Sequence, residues 1–193
     1  MSNDKKNEII IKYVSDVHAL VAHGVQALHR QVEQLKNVSH QDAKTAVVGF
    51  ESLLKKQASQ LDERVKALGG TTAQPVKDAV AAVSGVAAGI INAVRSSETA
   101  KSIRDDHTYF NHLGISWLML HATATSLGDT TTASLAERCY TDTAKAIMHI
   151  DHILPKLVVE ELREDKALQP VDTQEQTTRM MKKAWDRAAP TGI

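Results

Sequence analysis

The chain has 193 residues, enough to bury the core of one domain without disulfides or bound metal. Its 23 basic and 23 acidic residues cancel and form no long block of one sign, so the pattern typical of nucleic-acid binding is absent. The single cysteine, Cys139, excludes an intramolecular disulfide and is expected to be a buried thiol. The charged N-terminus lacks the long apolar region of a signal peptide, so we expect a cytoplasmic protein without membrane contact.

Two helices are predicted in the first part of the chain. The first, about Glu8 to Lys36, carries apolar or small residues at three- and four-residue steps: Val14, Val17, Val21, Gly24, Leu28 and Leu35. The second ends near Leu68, before two glycines that can take the left-handed conformation of a helix end. Ser39 or Asp42 is expected to cap its start. The turn between the two helices is short, which predicts an antiparallel pair.

A third periodic segment, Val76 to Arg95, is followed by a second predicted hairpin. A helix of its length rises about 30 Å, enough to carry the chain back along a bundle. The hairpin consists of Glu98 to Leu127 and Thr132 to Glu164, separated by "LGD". Two long hairpins joined by one crossover are typical of ferritin-like four-helix folds, so we predict an all-α bundle of that kind.

The chain is expected to divide into a bundle, residues 1–165, and a C-terminal tail, residues 166–193. The tail contains a weakly amphipathic stretch with Met181, Ala184 and Trp185. This pattern predicts a short helix that docks on the bundle or on a neighbouring subunit.

Four phrases of the sequence resemble the ferritin-like superfamily, in the branch around the YciF-type stress proteins. They are "VQALHRQVEQL", "FESLLKKQASQLDERVKALGG", "SIRDDHTYFNHLGISWLMLHATATSLGD" and "DHILPKLVVEELRED", and the resemblance covers about residues 10 to 165. Such proteins resemble di-iron carboxylate proteins. In those, two helices each give one carboxylate and the other two each give a Glu-x-x-His pair.

The metal-ligand positions implied by this resemblance carry other residues here. The Glu-x-x-His spacing of the second helix falls on Leu54 and Gln57, and the first helix offers Val21. The next hairpin has apolar positions at Phe110 and Leu113, and its last helix has a stripe without glutamate: Tyr140, Thr143, Ile147, Ile150 and Leu154. The resemblance therefore implies a ferritin-like fold with a degenerate di-metal site, and no cofactor is expected.

Gln57 is an amide in the middle of the apolar stripe of the second helix. His18 lies at a similar depth on the first helix, measured from the turn between them. Two neutral ligands without a carboxylate cannot neutralise a divalent ion in a low-dielectric core. We therefore expect a His18–Gln57 hydrogen bond instead of a metal site.

The remaining histidines do not form an obvious cluster in the sequence. His23 is rotated toward the edge of the first helix, and His107 and His121 are about 21 Å apart along one helix. We expect His107 and His121 to be interior or edge residues. His149 and His152 are expected to be solvated. "RDDH", residues 104 to 107, is interpreted as helix-end electrostatics and ion pairing.

Three functions remain open from the sequence. We favour a non-enzymatic, stress-associated protein that acts through its surface, as a monomer or a homodimer, and the sequence identifies no protein partner. The first alternative is an oxidoreductase that binds iron or manganese at a histidine-rich site drawn from His18, His23, His107 and His121. The second alternative is a bundle that encloses an apolar ligand, because replacing metals and carboxylates by smaller apolar groups can leave a cavity.

Overall fold

A computed structural model describes residues 3–36, 38–71, 99–164 and 172–188. These residues form helices and no strand, which confirms the predicted all-α class. In chain order the helices are α1 (Asn3–Leu35), α2 (Gln41–Ala67), α3 (Thr99–Leu127), α4 (Thr130–Glu164) and α5 (Thr173–Ala188). The predicted crossover helix, Val76 to Arg95, lies outside the described residues.

The first four helices form a bundle of two antiparallel hairpins. α1 packs on α2, α3 packs on α4, and the hairpins meet through α1 with α3 and α2 with α4. Gln31 contacts Ser102 and Leu20 contacts Tyr109, so α3 runs antiparallel to α1. α2 and α3 are therefore parallel to each other. The end of α2 and the start of α3 lie at opposite ends of the bundle, as the one-crossover prediction requires.

The end of α2 was predicted correctly, but the residue at its N-cap was not. Gly69 has φ +83°, and the Gly70 N–H donates to the Val65 carbonyl at 3.0 Å, which closes the helix as expected. The N-cap position is His40, which makes no side-chain cap within the described part of the chain. Ser39 and Asp42 are not the caps, and the Asp42 carboxylate instead pairs with Lys156 of α4.

The turn between α3 and α4 is fixed by a glycine and an aspartate. Gly128 has φ +77°, and the Asp129 carboxylate accepts a hydrogen bond from the Thr132 N–H at 3.0 Å. Arg64 of α2 also donates to Asp129, at 2.6 Å. Burial opposes ionisation of this carboxyl, but the hydrogen bonds from Thr132 and Arg64 outweigh it and lower the pKa. Asp129 therefore joins α2 to the second hairpin.

The core contains the predicted stripes of α1, α2 and α3 with one correction in α4. The rings of Phe50 and Phe110 meet edge to face with centroids 5.0 Å apart. Tyr140, which the α4 stripe placed in the core, is 38% exposed. The buried side of α4 includes Cys139 and Thr143. Tyr140 lies beside this row, at the edge of the core that faces α3.

The C-terminal tail forms a helix that contacts α4. α5 has polar and apolar residues on opposite faces, and Trp185 on its second half is 69% exposed. Among the helices of the described residues, none combines the length and hydropathy needed to cross a membrane.

Candidate functional site

The centre of the bundle contains Gln57, as the apolar stripe of α2 predicted. The residue is 1% exposed, and its Nε2 donates to the Cys139 carbonyl at 3.3 Å and to Thr143 Oγ1 at 3.4 Å. A carbonyl can only accept, so the NH2 side of the amide must face α4. Gln57 Oε1 is left without a hydrogen-bond partner among the described residues.

The groups that Gln57 contacts, on Cys139 and Thr143, are neutral, and so is the indole of Trp117. Trp117 of α3 is fully buried, and its Nε1–H is likewise unpaired within the described chain. Burial, with a smaller contribution from the negative charge of Asp142, raises the pKa of the Cys139 thiol to about 12. A thiol held protonated in this way is not a nucleophile or a metal ligand at neutral pH, and the prediction of a buried Cys139 is confirmed.

The predicted His18–Gln57 hydrogen bond is wrong. Gln57 turns to α4, and His18 Nδ1 has no partner in the part of the chain that the structure describes. Burial lowers the pKa of His18, while the negative charge of Asp62, five residues beyond Gln57 on α2, opposes this shift. The predicted pair does not form, because the Gln57 amide is held by Cys139 and Thr143 of α4.

The other predicted histidine candidates are spread over the molecule. Burial and the charge of Arg30 lower the pKa of His23, which is partly buried on α1. His107 Nε2 lies 3.1 Å from Asp151 Oδ1 at the edge of the α3–α4 pair, and His121 is partly buried further along α3. His149 and His152 are exposed, as expected. Within the described ranges, no three or more His, Cys, Asp or Glu residues are grouped so that they could hold a metal ion.

The positions that the family resemblance assigns to metal ligands are occupied by hydrocarbon and neutral polar groups. Val21, Leu54, Phe110 and Leu113 are all fully buried, and Gln57 is the polar exception. Two divalent or trivalent ions in this interior would need several carboxylates to balance their charge. The unpaired amide oxygen of Gln57 does not supply that charge, so these residues do not fit a di-metal centre.

Glu51 is the carboxylate of α2 that comes nearest to an inward-facing ligand. The residue is 8% exposed, and its Oε1 lies 2.8 Å from Lys55 Nζ and 2.9 Å from His29 Nδ1. The hydrogen bond from Lys55 is the main cause of its lowered pKa, with burial opposing and His29 assisting. These two partners already satisfy the carboxylate at the α1–α2 contact.

A second buried glutamine, Gln31, makes a network that the sequence analysis missed. It is 3% exposed, and its Nε2 donates to Ser102 Oγ at 2.7 Å and to Asp106 Oδ2 at 2.8 Å. Burial raises the pKa of Asp106 to about 8, with the charge of Asp105 assisting and the Gln31 hydrogen bond opposing. The available signal was Gln31 itself, which lies three residues after Leu28 and four before Leu35 on the apolar stripe.

Two buried glycines, Gly24 of α1 and Gly114 of α3, differ in how closely neighbouring side chains approach them. Tyr109 donates its hydroxyl hydrogen to the Leu20 carbonyl at 3.1 Å, and a Cβ on Gly24 would lie 2.1 Å from that hydroxyl oxygen. Gly114 of α3 is also buried, but a Cβ there would meet its nearest atoms, on Tyr140 and Thr143, at 3.8 and 3.9 Å. The contact between α1 and α3 is therefore closely packed, whereas space remains beside Gly114.

Comparison with known proteins identifies the fold. No protein-family model matches the sequence, and no curated protein matches it. Among solved structures, a ferritin-like, diiron-carboxylate protein from Bacillus anthracis str. Ames is similar, with a TM-score of 0.62 and 17% identity. The match covers 80% of this chain and 99% of that one. The chain therefore has a ferritin-like fold, and the description of that protein's metal centre remains a statement about that protein.

Proposed function

We propose that this chain is a non-enzymatic ferritin-like protein without a di-metal centre, which acts through its surface as a stress-associated homodimer. The observation that carries the proposal is Gln57, which bonds to α4 through its NH2 group at the centre of the bundle. The stress association is supported by the resemblance of the four helical phrases to YciF-type proteins.

The polar groups near the centre disfavour a bound cation. Gln57 Nε2 and Trp117 Nε1 present N–H donors, whereas metal ions are bound by lone pairs of oxygen, nitrogen or sulfur. The acceptors that Gln57 contacts, the Cys139 carbonyl and the Thr143 hydroxyl, are neutral. Without carboxylates, the cost of moving metal charges from water into this interior is not offset.

Iron oxidation tests the non-enzymatic part of the proposal. Ferrous iron is added in air to the purified full chain, and ferric iron formation is followed by absorbance against buffer alone. We expect the same rate with and without protein, and the same result for Glu51→Gln, which removes the most inward-facing carboxylate of α2. A protein-dependent rate that saturates at about two irons per chain would contradict the proposal.

The surface role is supported by an uneven distribution of exposed apolar side chains. Ile115, Leu118 and Met119 are 57%, 44% and 54% exposed and lie on one face of α3. Tyr140 and Met148 of α4 are also exposed. Exposed apolar groups on one hairpin are typical of an interaction surface, and we assign the homodimer contact to this outer face of α3 and α4.

Light scattering after size-exclusion chromatography tests this contact. We expect a dimer for the natural sequence and a monomer for Met119→Glu, because the new charge would lose water at the interface. Val48→Glu is the matched control, since Val48 is 51% exposed but lies on α2. A monomeric natural protein contradicts the dimer, and a dimeric Met119→Glu places the contact elsewhere.

A further inference from the structure

Two buried groups of opposite hydrogen-bonding character remain unpaired in the core. Gln57 Oε1 can only accept a hydrogen bond, and Trp117 Nε1–H can only donate one. Both residues are at most 1% exposed, and neither atom has a partner among the described residues. Buried polar groups in native proteins are almost always paired, and ordered water is the usual partner where no protein group is available.

The two residues lie at the same level of the bundle. α2 and α3 are parallel, and the rings of Phe50 and Phe110 are in contact with centroids 5.0 Å apart. Gln57 and Trp117 each follow these phenylalanines by one heptad, about two helical turns or 10 Å. Because nearly the same face of a helix returns after a heptad, Gln57 and Trp117 occupy the positions on α2 and α3 that correspond to the two phenylalanines, one layer further along.

Contacts through α4 place both residues at the same level. Gln57 donates to Thr143, and the nearest atoms to a Cβ built on Gly114 include Thr143 Cγ2. Trp117 follows Gly114 by one turn of α3, and Cys139, the other Gln57 partner, precedes Thr143 by one turn of antiparallel α4. The indole and the amide therefore converge on the same layer from two independent directions.

The layer has both the polarity and the space for a small neutral molecule. The NH2 group of Gln57 is held by α4, so its Oε1 points away from α4. The two unpaired atoms make no direct hydrogen bond to each other. Beside Gly114 a Cβ would meet its nearest atoms at 3.8 and 3.9 Å, so the missing side chain leaves room for a group of about methyl size.

We propose that this layer holds one internal water molecule, which accepts a hydrogen bond from Trp117 Nε1–H and donates one to Gln57 Oε1. A cation would face the indole donor, and an anion would face the amide oxygen without a compensating positive charge. Water satisfies both atoms at once and remains neutral in a low-dielectric interior. The site goes beyond the proposed surface function and does not depend on the oligomeric state.

A high-resolution crystal structure of the full chain tests the site directly. We expect a single density peak at hydrogen-bond distance, about 2.8–3.2 Å, from both Trp117 Nε1 and Gln57 Oε1. Absence of the peak, or a direct hydrogen bond between the two side chains, would overturn the proposal. Anomalous scattering at that peak would also overturn it, because the occupant would be a metal ion.

NMR in solution supplies a second test with a matched control. We expect a cross-peak between a long-lived water and the Trp117 indole N–H, whereas exposed Trp185 should exchange rapidly with solvent. Gln57→Leu should abolish the Trp117 cross-peak, because the water loses its acceptor. Gln60→Leu, the same change one turn away on α2, should retain it. A cross-peak that persists in Gln57→Leu contradicts the assignment, and if this variant does not fold, the crystallographic result for the natural sequence decides.

Discussion

The α1–α3 contact and the centre around Gln57 each bury one glutamine, but they differ in how completely its surroundings are paired. In the α1–α3 contact, Gln31 bonds to Ser102 and Asp106, and Tyr109 bonds to a carbonyl of α1. At the centre, Gln57 bonds through nitrogen alone, and neither its oxygen nor the Trp117 indole N–H has a partner among the described residues. The polar groups named in the first region pair with one another, whereas two polar atoms of the second have no partner in the part of the chain that the structure describes.

This difference separates a structural network from a candidate binding layer. A buried network with matched donors and acceptors specifies the register of the helices that form it. A buried layer with one spare donor and one spare acceptor is stable only when a further molecule or a rearrangement completes it. Both glutamines are polar and buried, so polarity does not distinguish their roles. The number of unpaired hydrogen-bonding atoms around each glutamine does.

The largest expected effect tests the packing difference between the regions. Gly24→Ala should destabilise the protein by about 3 kcal/mol, because Tyr109 and Leu54 are buried and cannot move away from the new methyl group. Gly114→Ala should change stability by less than about 1 kcal/mol, since the helix propensity gained with alanine is offset where its methyl group takes the room assigned to the internal water. Urea unfolding measures both values, and equal effects at the two glycines would refute the difference.

The same substitution at the two glutamines should give unequal losses. Gln31→Leu should cost about 2 kcal/mol, because Ser102 Oγ and the Asp106 carboxyl lose their buried donor. Gln57→Leu should cost less, about 1 kcal/mol, since long hydrogen bonds are lost and leucine adds apolar burial, which partly offsets the loss of the water that pairs with Trp117. Thermal unfolding checks the order of the two variants, and a larger loss for Gln57→Leu would reverse the comparison.

Asp106 should make the α1–α3 contact sensitive to pH. Its pKa is about 8 in the folded protein and near 3.8 when unfolded, so folding takes up a proton between these values. Stability should therefore fall as pH rises from about 4 to 8, with a contribution of the order of 1 kcal/mol per pH unit.

Unfolding free energies of Asp106→Asn across this pH range isolate that contribution. Asparagine keeps an acceptor for Gln31 but cannot ionise, so the variant should lose this part of the pH dependence. Asp142→Asn, which removes a carboxylate near the surface of α4, should keep it. An unchanged slope in Asp106→Asn would show that this carboxyl is ionised in the folded protein.

Much of the fold could be predicted from the sequence because helical periodicity is a local property. The stripes of α1 and α2, the glycine ends at Gly69 and Gly128, and the pairing of helices into hairpins depend on neighbours along the chain. The burial of Gln57 followed from its place in a stripe. The cap of α2 was wrong because the helix begins at Gln41 with His40 at the N-cap position, so Asp42 lies inside the helix and pairs with Lys156 of α4.

The hydrogen bonds of the interior could not be predicted, because they depend on which neighbour each side chain faces. The Gln57 amide bonds to α4 and not to His18, and Asp106 was interpreted as a helix-end charge although it contacts Gln31. These contacts depend on helix rotation, and a rotation of a few tens of degrees redirects a side chain without changing the apolar stripe.

Metal content tests the central claim, that neutral groups replace a di-metal centre in this ferritin-like fold. The full chain is produced with iron, manganese and zinc supplied, exchanged extensively to remove loosely bound ions, and measured by elemental analysis. We predict well below one metal per chain, because the groups around Gln57 carry no charge to balance a cation. Two tightly bound metals per chain would contradict the claim.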